Sequence, residues 1–182
     1  MIACIDVGYQ QQSALAACIT ISDWDADAPV ASHAVEIEKI EEYEPGAFYK
    51  RELPCIKKVL DKLVVMPSII VVDGYVWLDA KGRKGLGAHL FELLDGAIPI
   101  IGVAKTSFAT ATSAIEVYRG KSSRPLWVTA TGIDEIKAAE CVRSLHGNYR
   151  IPTILKLVDR LSKSEIETIY AMEPFNQDRR SS

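Results

Sequence analysis

Two apolar runs in this chain each stop on an aspartate, and that pairing constrains the fold more than any other feature. Ile2-Ala3-Cys4-Ile5-Asp6-Val7-Gly8 and Ser68-Ile69-Ile70-Val71-Val72-Asp73-Gly74 are short, apolar and bounded by turn residues, as expected of strands buried on both faces. A buried carboxylate is costly unless it is paired, hydrogen-bonded or bound to a cation, so an acid ending each of two core strands suggests a metal site if the strands are neighbours. Asp before Gly is also an ordinary turn signal, and either acid alone reads more readily as structural. The reading depends on what else converges on the pair.

With 182 residues, 48% of them hydrophobic and 25% charged, the chain is the size of one globular domain with a sufficient core. Residues 1–172 are read as that domain and 173–182 as a polar tail. No apolar stretch is long enough to span a bilayer and no cleavage-site pattern follows Met1, so the expectation is a soluble, cytoplasmic protein without a membrane partner. Cys4, Cys18, Cys55 and Cys141 are scattered in apolar patterns without Cys-x-x-Cys spacing, which points to free thiols. The net charge of −3 argues against indiscriminate coating of nucleic acid but leaves room for local basic surfaces. Two segments qualify, Lys81-Gly82-Arg83-Lys84-Gly85 and the cluster Arg119, Lys121 and Arg124.

Strands are expected over 2–7, 14–22 and 30–40, the first two joined by a short polar turn as a hairpin. Phe48, Glu52, Ile56, Val59, Leu60 and Leu63 recur at helical spacing, with Pro54 requiring either a start near Arg51 or a bend. Further strands are expected over 68–73, 98–103 and 126–130, with helices over 86–94, 135–145 and 153–170. Three antiparallel strands followed by alternating strands and helices describe an α/β protein: a ribonuclease H-like mixed sheet, three antiparallel strands then parallel strands, flanked by helices.

Several segments, in order, resemble the endonuclease V family. They are Ile5-Asp6-Val7-Gly8-Tyr9, Tyr43-Glu44-Pro45-Gly46 through Arg51-Glu52, Val71-Val72-Asp73-Gly74 and Arg83-Lys84-Gly85-Leu86-Gly87-Ala88-His89-Leu90. Ile101-Gly102-Val103-Ala104-Lys105, Ala130-Thr131-Gly132, Tyr149-Arg150-Ile151-Pro152 and Asp159-Arg160-Leu161-Ser162 complete the set. The resemblance implies an endonuclease that needs Mg2+ or Mn2+ and hydrolyses a phosphodiester near a deaminated purine, inosine, in DNA or RNA; the chain is expected to be a monomer. Phosphodiester hydrolysis needs an activated water and charge neutralisation at the leaving oxygen, which two cations roughly 3.5–4 Å apart supply when carboxylates hold them.

By the same resemblance Asp6, Glu52 and Asp73 are the metal-binding acids and Lys105 lies near the scissile phosphate. Tyr43, Pro45 and Gly46 form a wedge beside the altered base, with Gly74, Tyr75 and Arg83 as further substrate contacts. The chain departs from the family pattern at Tyr75-Val76, where the family has His-Gly, and at Gly132-Ile133, where it has Gly-His. Asp134 then reads either as a replacement metal ligand or as the N-cap of the next helix. A leader segment that family members often carry is expected to be absent. The alternative function is a nucleic-acid-binding module on the same fold, without catalysis.

Overall fold

The computed structural model describes residues 1–10, 13–38, 40, 44, 46–108, 110 and 113–164. The expected tail at 173–182, the end of the last expected helix and the wedge residues Tyr43 and Pro45 lie outside them.

The N-terminal runs fold as expected, because continuous apolar strands are stable only when both faces are covered. β1 (Ile2–Tyr9) and β2 (Ala14–Ile21) form an antiparallel hairpin, and β3 (Ala31–Ile37) adds to β2 antiparallel. α1 (Tyr49–Leu60) follows. It contains Pro54 at its sixth position rather than at its start, so the carbonyl of Lys50 loses its helical donor there. The apolar stripe Cys55, Ile56, Val59 and Leu60 still holds it to the sheet.

β4 (Ile69–Asp73) lies beside β1 and parallel to it, and β5 (Ile100–Ala104) lies parallel to β4, with α2 (Leu86–Leu93) as the crossover. β6 (Ile115–Val117) and β7 (Leu126–Thr131) complete a seven-stranded sheet in the order β3-β2-β1-β4-β5-β7-β6. β7 runs antiparallel to β5, and β6 antiparallel to β7. The parallel portion of the sheet therefore ends at β5. β6, only three residues long, gives no period-2 signal to read.

α3 (Glu135–Ser144) and α4 (Thr153–Ser162) cover one face of the sheet; α1 and α2 cover the other. α4 docks by its buried stripe Ile154, Val158 and Ser162, spaced at four residues as one helix face requires. Gly8 sets how closely it docks. A β-carbon at that position would stand 2.0 Å from the Ser162 carbonyl oxygen, so only glycine lets the end of α4 rest on β1. Cys4, Cys18 and Cys55 are buried, Cys141 is half-buried, and all four are free thiols. Among the described residues no helix is long and apolar enough to cross a membrane.

Candidate functional site

Alternate residues of a strand share a face. Ile2 and Cys4 on β1, Val71 on β4, and Ile101 and Val103 on β5 all enter the core beneath α3 and α4. Asp6, Asp73 and Lys105 each extend one of these rows by a single step. Because the three strands are parallel, all three side chains emerge at the same edge of the sheet: Asp73 pairs with Val103, and Asp6 follows the Ile5–Val72 pair. The strand-end logic of the sequence thus yields a real cluster.

The Lys105 ammonium donates to Asp73 Oδ2 at 2.6 Å and to Asp159 Oδ1, on α4, at 3.1 Å. Lys163 also reaches Asp159, at 2.8 Å. The Ser162 hydroxyl donates to Asp6 Oδ2 at 2.7 Å. Glu52 arrives from α1 on the opposite face of the sheet and interacts electrostatically with Asp6 and Asp73 around the strand ends. Arg150 fixes the backbone beneath Lys105 by donating to its carbonyl and, at 2.8 Å, to that of Pro125.

Burial, then repulsion from Asp6 and Asp73, pushes the Glu52 carboxyl up to about 8. Burial also raises Asp6, aided by Asp73 and opposed by the Ser162 hydrogen bond. Burial alone would lower Lys105, but its hydrogen bonds to Asp73 and Asp159 outweigh this and hold the ammonium above the ordinary lysine value. Burial would raise Asp159, yet the Lys163 and Lys105 ammonium groups keep it below the usual carboxylate range. The centre therefore has more carboxylate than its lysines neutralise.

Two spaces open at this edge. A cavity of about 20 Å³, large enough for a water, has Asp6, Asp73, Lys105 and Asp159 in its lining and is otherwise walled by apolar side chains, Ile5, Val103, Leu126 and Val158 among them. A cleft of about 680 Å³ adjoins it and is lined by Glu52, Asp73 and Gly74, with Tyr75, Arg83, His89 and Phe108 among its walls. Gly74, at φ +131°, holds a conformation that favours glycine and starts the turn along the cleft. The Tyr75 hydroxyl donates to the Thr106 carbonyl at 2.8 Å and accepts from the Phe108 N–H at 3.1 Å, tying down the loop after Lys105. Tyr49 stacks on His89 with ring centroids 3.6 Å apart.

Of the expected substrate contacts, Gly46, Gly74, Tyr75 and Arg83 all line this cleft. Val76, where the chain departs from the family's glycine, is buried in the core beneath α1 and α2, and its N–H donates to Thr129 Oγ1 at 2.8 Å. Trp77 caps the core, its indole donating to the Ala130 carbonyl at 3.0 Å.

Asp134 requires a correction. Its carboxylate accepts from the Lys137 N–H at 2.9 Å and caps α3. It also stands at the wrong edge of the sheet for a metal ligand, because β7 runs antiparallel and pairs Thr131 with Ile100, at the start of β5. The full length of β5 separates it from Asp73. Replacing Asp134 with alanine is expected to cost about 1 kcal/mol of stability, the usual worth of an N-cap, and thermal unfolding of the variant beside the parent checks this.

Asp159 is the site residue that sequence reasoning left without a role, although it lies in a matched segment. Its spacing from Lys163 matches an ordinary surface ion pair, and only the docking of α4 turns it inward.

The donor set suits a hard divalent cation. Asp6, Glu52, Asp73 and Asp159 offer oxygen ligands whose mutual repulsion a cation would relieve. Among the described residues no group of three or more His, Cys, Asp or Glu side chains is set to hold a metal in this conformation; the Lys105 ammonium occupies the space between Asp73 and Asp159.

A mixed sheet of this order, flanked by helices and carrying acids at the ends of its central strands, defines a ribonuclease H-like α/β protein. Within that class the chain belongs to the endonuclease V family, whose sequence model matches residues 1–160. It is 32% identical over 136 residues to endonuclease V of Streptomyces avermitilis, covering 74% of this chain and 56% of that protein. The crystal structure of the Streptomyces avermitilis protein superposes with a TM-score of 0.73 at 25% identity, covering 93% of this chain and 81% of the other. Endonuclease V of Ciona intestinalis, solved in complex with a 23mer DNA containing an inosine followed by a ribo-adenosine, shares the fold at a TM-score of 0.77 and 20% identity, covering 92% of this chain and 86% of that one. The chain spans about half the length of the first curated relatives it matches, 45% for Rippkaea orientalis and 56% for Streptomyces avermitilis.

Proposed function

We propose that this chain is a divalent-metal-dependent endonuclease that hydrolyses a phosphodiester near a deaminated purine, inosine, in DNA or RNA. One observation carries the reading. Carboxylates from two adjacent strands and from helices on both faces of the sheet gather at one edge with Lys105, beside a cleft with aromatic and cationic walls.

Asp6, Glu52, Asp73 and Asp159 would hold Mg2+ or Mn2+, which when bound supplies an activated water and neutralises charge on the phosphate. Glu52 holds its proton near neutral pH because burial and its acidic neighbours disfavour the anion, and it must give that proton up to become a ligand. Lys105, freed from Asp73, contacts the phosphate with a charge kept on by its carboxylate partners. Ser162 orients Asp6 by donating to one of its oxygens. Arg83 and Lys84 on the cleft rim steer the backbone, and Gly74 leaves room for an extruded base beside Tyr75. Tyr43 and Pro45 are assigned to the wedge on the family resemblance.

The test is strand cleavage. Purified protein with Mg2+ or Mn2+ is expected to nick an inosine-containing DNA or RNA strand and to spare the matched strand with guanine. If it binds such strands in a salt-dependent way but cuts none with either metal, the reading is replaced by a binding module on the same fold.

A further inference from the structure

The chain carries a net charge of −3, yet its charges are unevenly placed. Residues 117–133 and 141–158 contain no Asp or Glu and together carry six lysines and arginines. Folding brings these two stretches together. Arg119, read from the sequence as part of a surface cluster, is 7% exposed. It is spent on holding the second stretch: its guanidinium donates to the carbonyls of Arg143 at 3.2 Å, Gly147 at 3.0 Å and Tyr149 at 3.3 Å, and also to that of Leu145. Gly120 lies so close that a β-carbon there would stand 2.5 Å from the Asn148 carbonyl oxygen. Arg150 then joins both stretches to the candidate site, through Pro125 before β7 and through the carbonyl of Lys105.

What this welded pair of loops shows to solvent is specific. Lys121 and Arg124 are exposed. Tyr149 is 70% exposed, with the Lys156 ammonium 4.3 Å from its ring centroid. An exposed aromatic costs hydration, and its fixed backbone denies it an easy retreat into the core. An aromatic ring among cations, on two stretches that themselves carry no carboxylate, is the chemistry of a single-stranded nucleic-acid platform: phosphates meet the cations and an unpaired base stacks on the ring.

We infer that Tyr149, Lys156, Lys121 and Arg124 form an accessory ridge that binds a single-stranded segment of the nucleic acid flanking the site of cleavage. The inference deepens the nuclease reading and rests on it for the identity of the partner. The ridge itself needs neither a metal nor an altered base to bind. Its position beyond Lys105 places the bound segment outside the 680 Å³ cleft, so it would add affinity for longer strands without selecting inosine.

The experiment is fluorescence anisotropy with unmodified oligothymidylate and oligouridylate as separate arms, in EDTA, across a NaCl series. The proteins are the full chain, the Lys121→Ala/Arg124→Ala double variant, Tyr149→Ala and Tyr149→Phe. In at least one arm the double variant is expected to lose about tenfold in affinity and to reduce the slope of log K against log salt by about 1.4, the amount for two phosphate contacts on a single strand. Tyr149→Ala is expected to lose about tenfold and Tyr149→Phe to bind as the parent, since stacking needs the ring and not the hydroxyl. The arm in which these losses are larger names the strand type.

The inference is overturned if the unaltered protein fails to bind either unmodified strand at low salt. It is also overturned if the variants bind as the parent does, or if Tyr149→Phe falls as far as Tyr149→Ala. Circular dichroism of each variant guards against misfolding, and the conservative Tyr149→Phe keeps the stacking claim testable if Tyr149→Ala unfolds. The two readings fail separately. Ridge binding without nicking of inosine strands removes the nuclease and keeps the ridge, whereas nicking with variant-insensitive binding removes the ridge alone.

Discussion

Replacing Asp73 with asparagine is expected to lower the single-turnover rate of strand nicking by roughly 10²–10³-fold, the scale on which removing one preorganised charged group acts, while leaving the fold intact. The change keeps the shape of the side chain and removes the charge that pairs with Lys105 and that the proposed cation would need. Stability should move little, because the Asp73–Lys105 pair is more than one-third exposed on both sides and exposed pairs contribute about 0–1 kcal/mol. Nicking rates in Mg2+ and Mn2+, together with a thermal unfolding curve, decide the matter. A variant that cuts at the parental rate would remove Asp73 from the centre and with it the proposed mechanism.

The second large effect concerns Glu52 in the metal-free protein. Its carboxyl is raised in the folded state to about 8 from an ordinary value of 4.5. Below pH 4.5 both folded and unfolded chains hold the proton, and the group contributes nothing. Between 4.5 and 8 the unfolded chain releases the proton while the folded chain keeps it, so stability falls as pH rises; above 8 the penalty is constant. Asp6, also raised, acts in the same direction. The raised Lys105 and the lowered Asp159 are unchanged across this window, since their own losses fall near the alkaline and acid ends.

A shift of that size corresponds to roughly 5 kcal/mol before screening, and solvent at the cleft mouth reduces it to about 2–3 kcal/mol. Denaturant midpoints of the metal-free protein should therefore decline from pH 5 to pH 8. Glu52→Gln should flatten that decline, and a saturating divalent cation should reverse it by stabilising the anion. A pH-independent midpoint in EDTA would show that Glu52 is not held desolvated beside Asp6 and Asp73.

The elements that could be read from the residues are those whose own composition dictates them. Asp6 and Asp73 were legible because a carboxylate at the end of an apolar strand is conspicuous, and parallel neighbours place strand ends together. Glu52 and Lys105 have no such local mark; each resembles a surface residue on a helix or at a strand end, and only the ordered family segments single them out. Asp159 was harder still. Its inward role depends on a helix docking at a distance of more than 150 residues along the chain, and local spacing offers Lys163 as a sufficient partner.

Asp134 shows the opposite case. The capping reading rested on a local rule and the structure has that hydrogen bond. The ligand reading depended on the direction of β7, and a strand's direction leaves no trace in its own composition. The same limit explains why β6 and the reversal beyond β5 were not foreseen, while the three-stranded antiparallel start and its parallel continuation were.

The tight seating of α4 on Gly8 has a consequence for the order of events during synthesis. Ser162 and Asp6 are 156 positions apart in the chain, so the contact that completes the carboxylate centre becomes available only long after Asp6 has emerged from the ribosome. A nascent chain that already displays Asp6, Glu52, Asp73 and Lys105 still lacks Asp159 and the hydroxyl that aims Asp6. A chain that stops before α4 would have much of its sheet but an incomplete carboxylate centre and, on the proposed reading, no competent means of cutting nucleic acid.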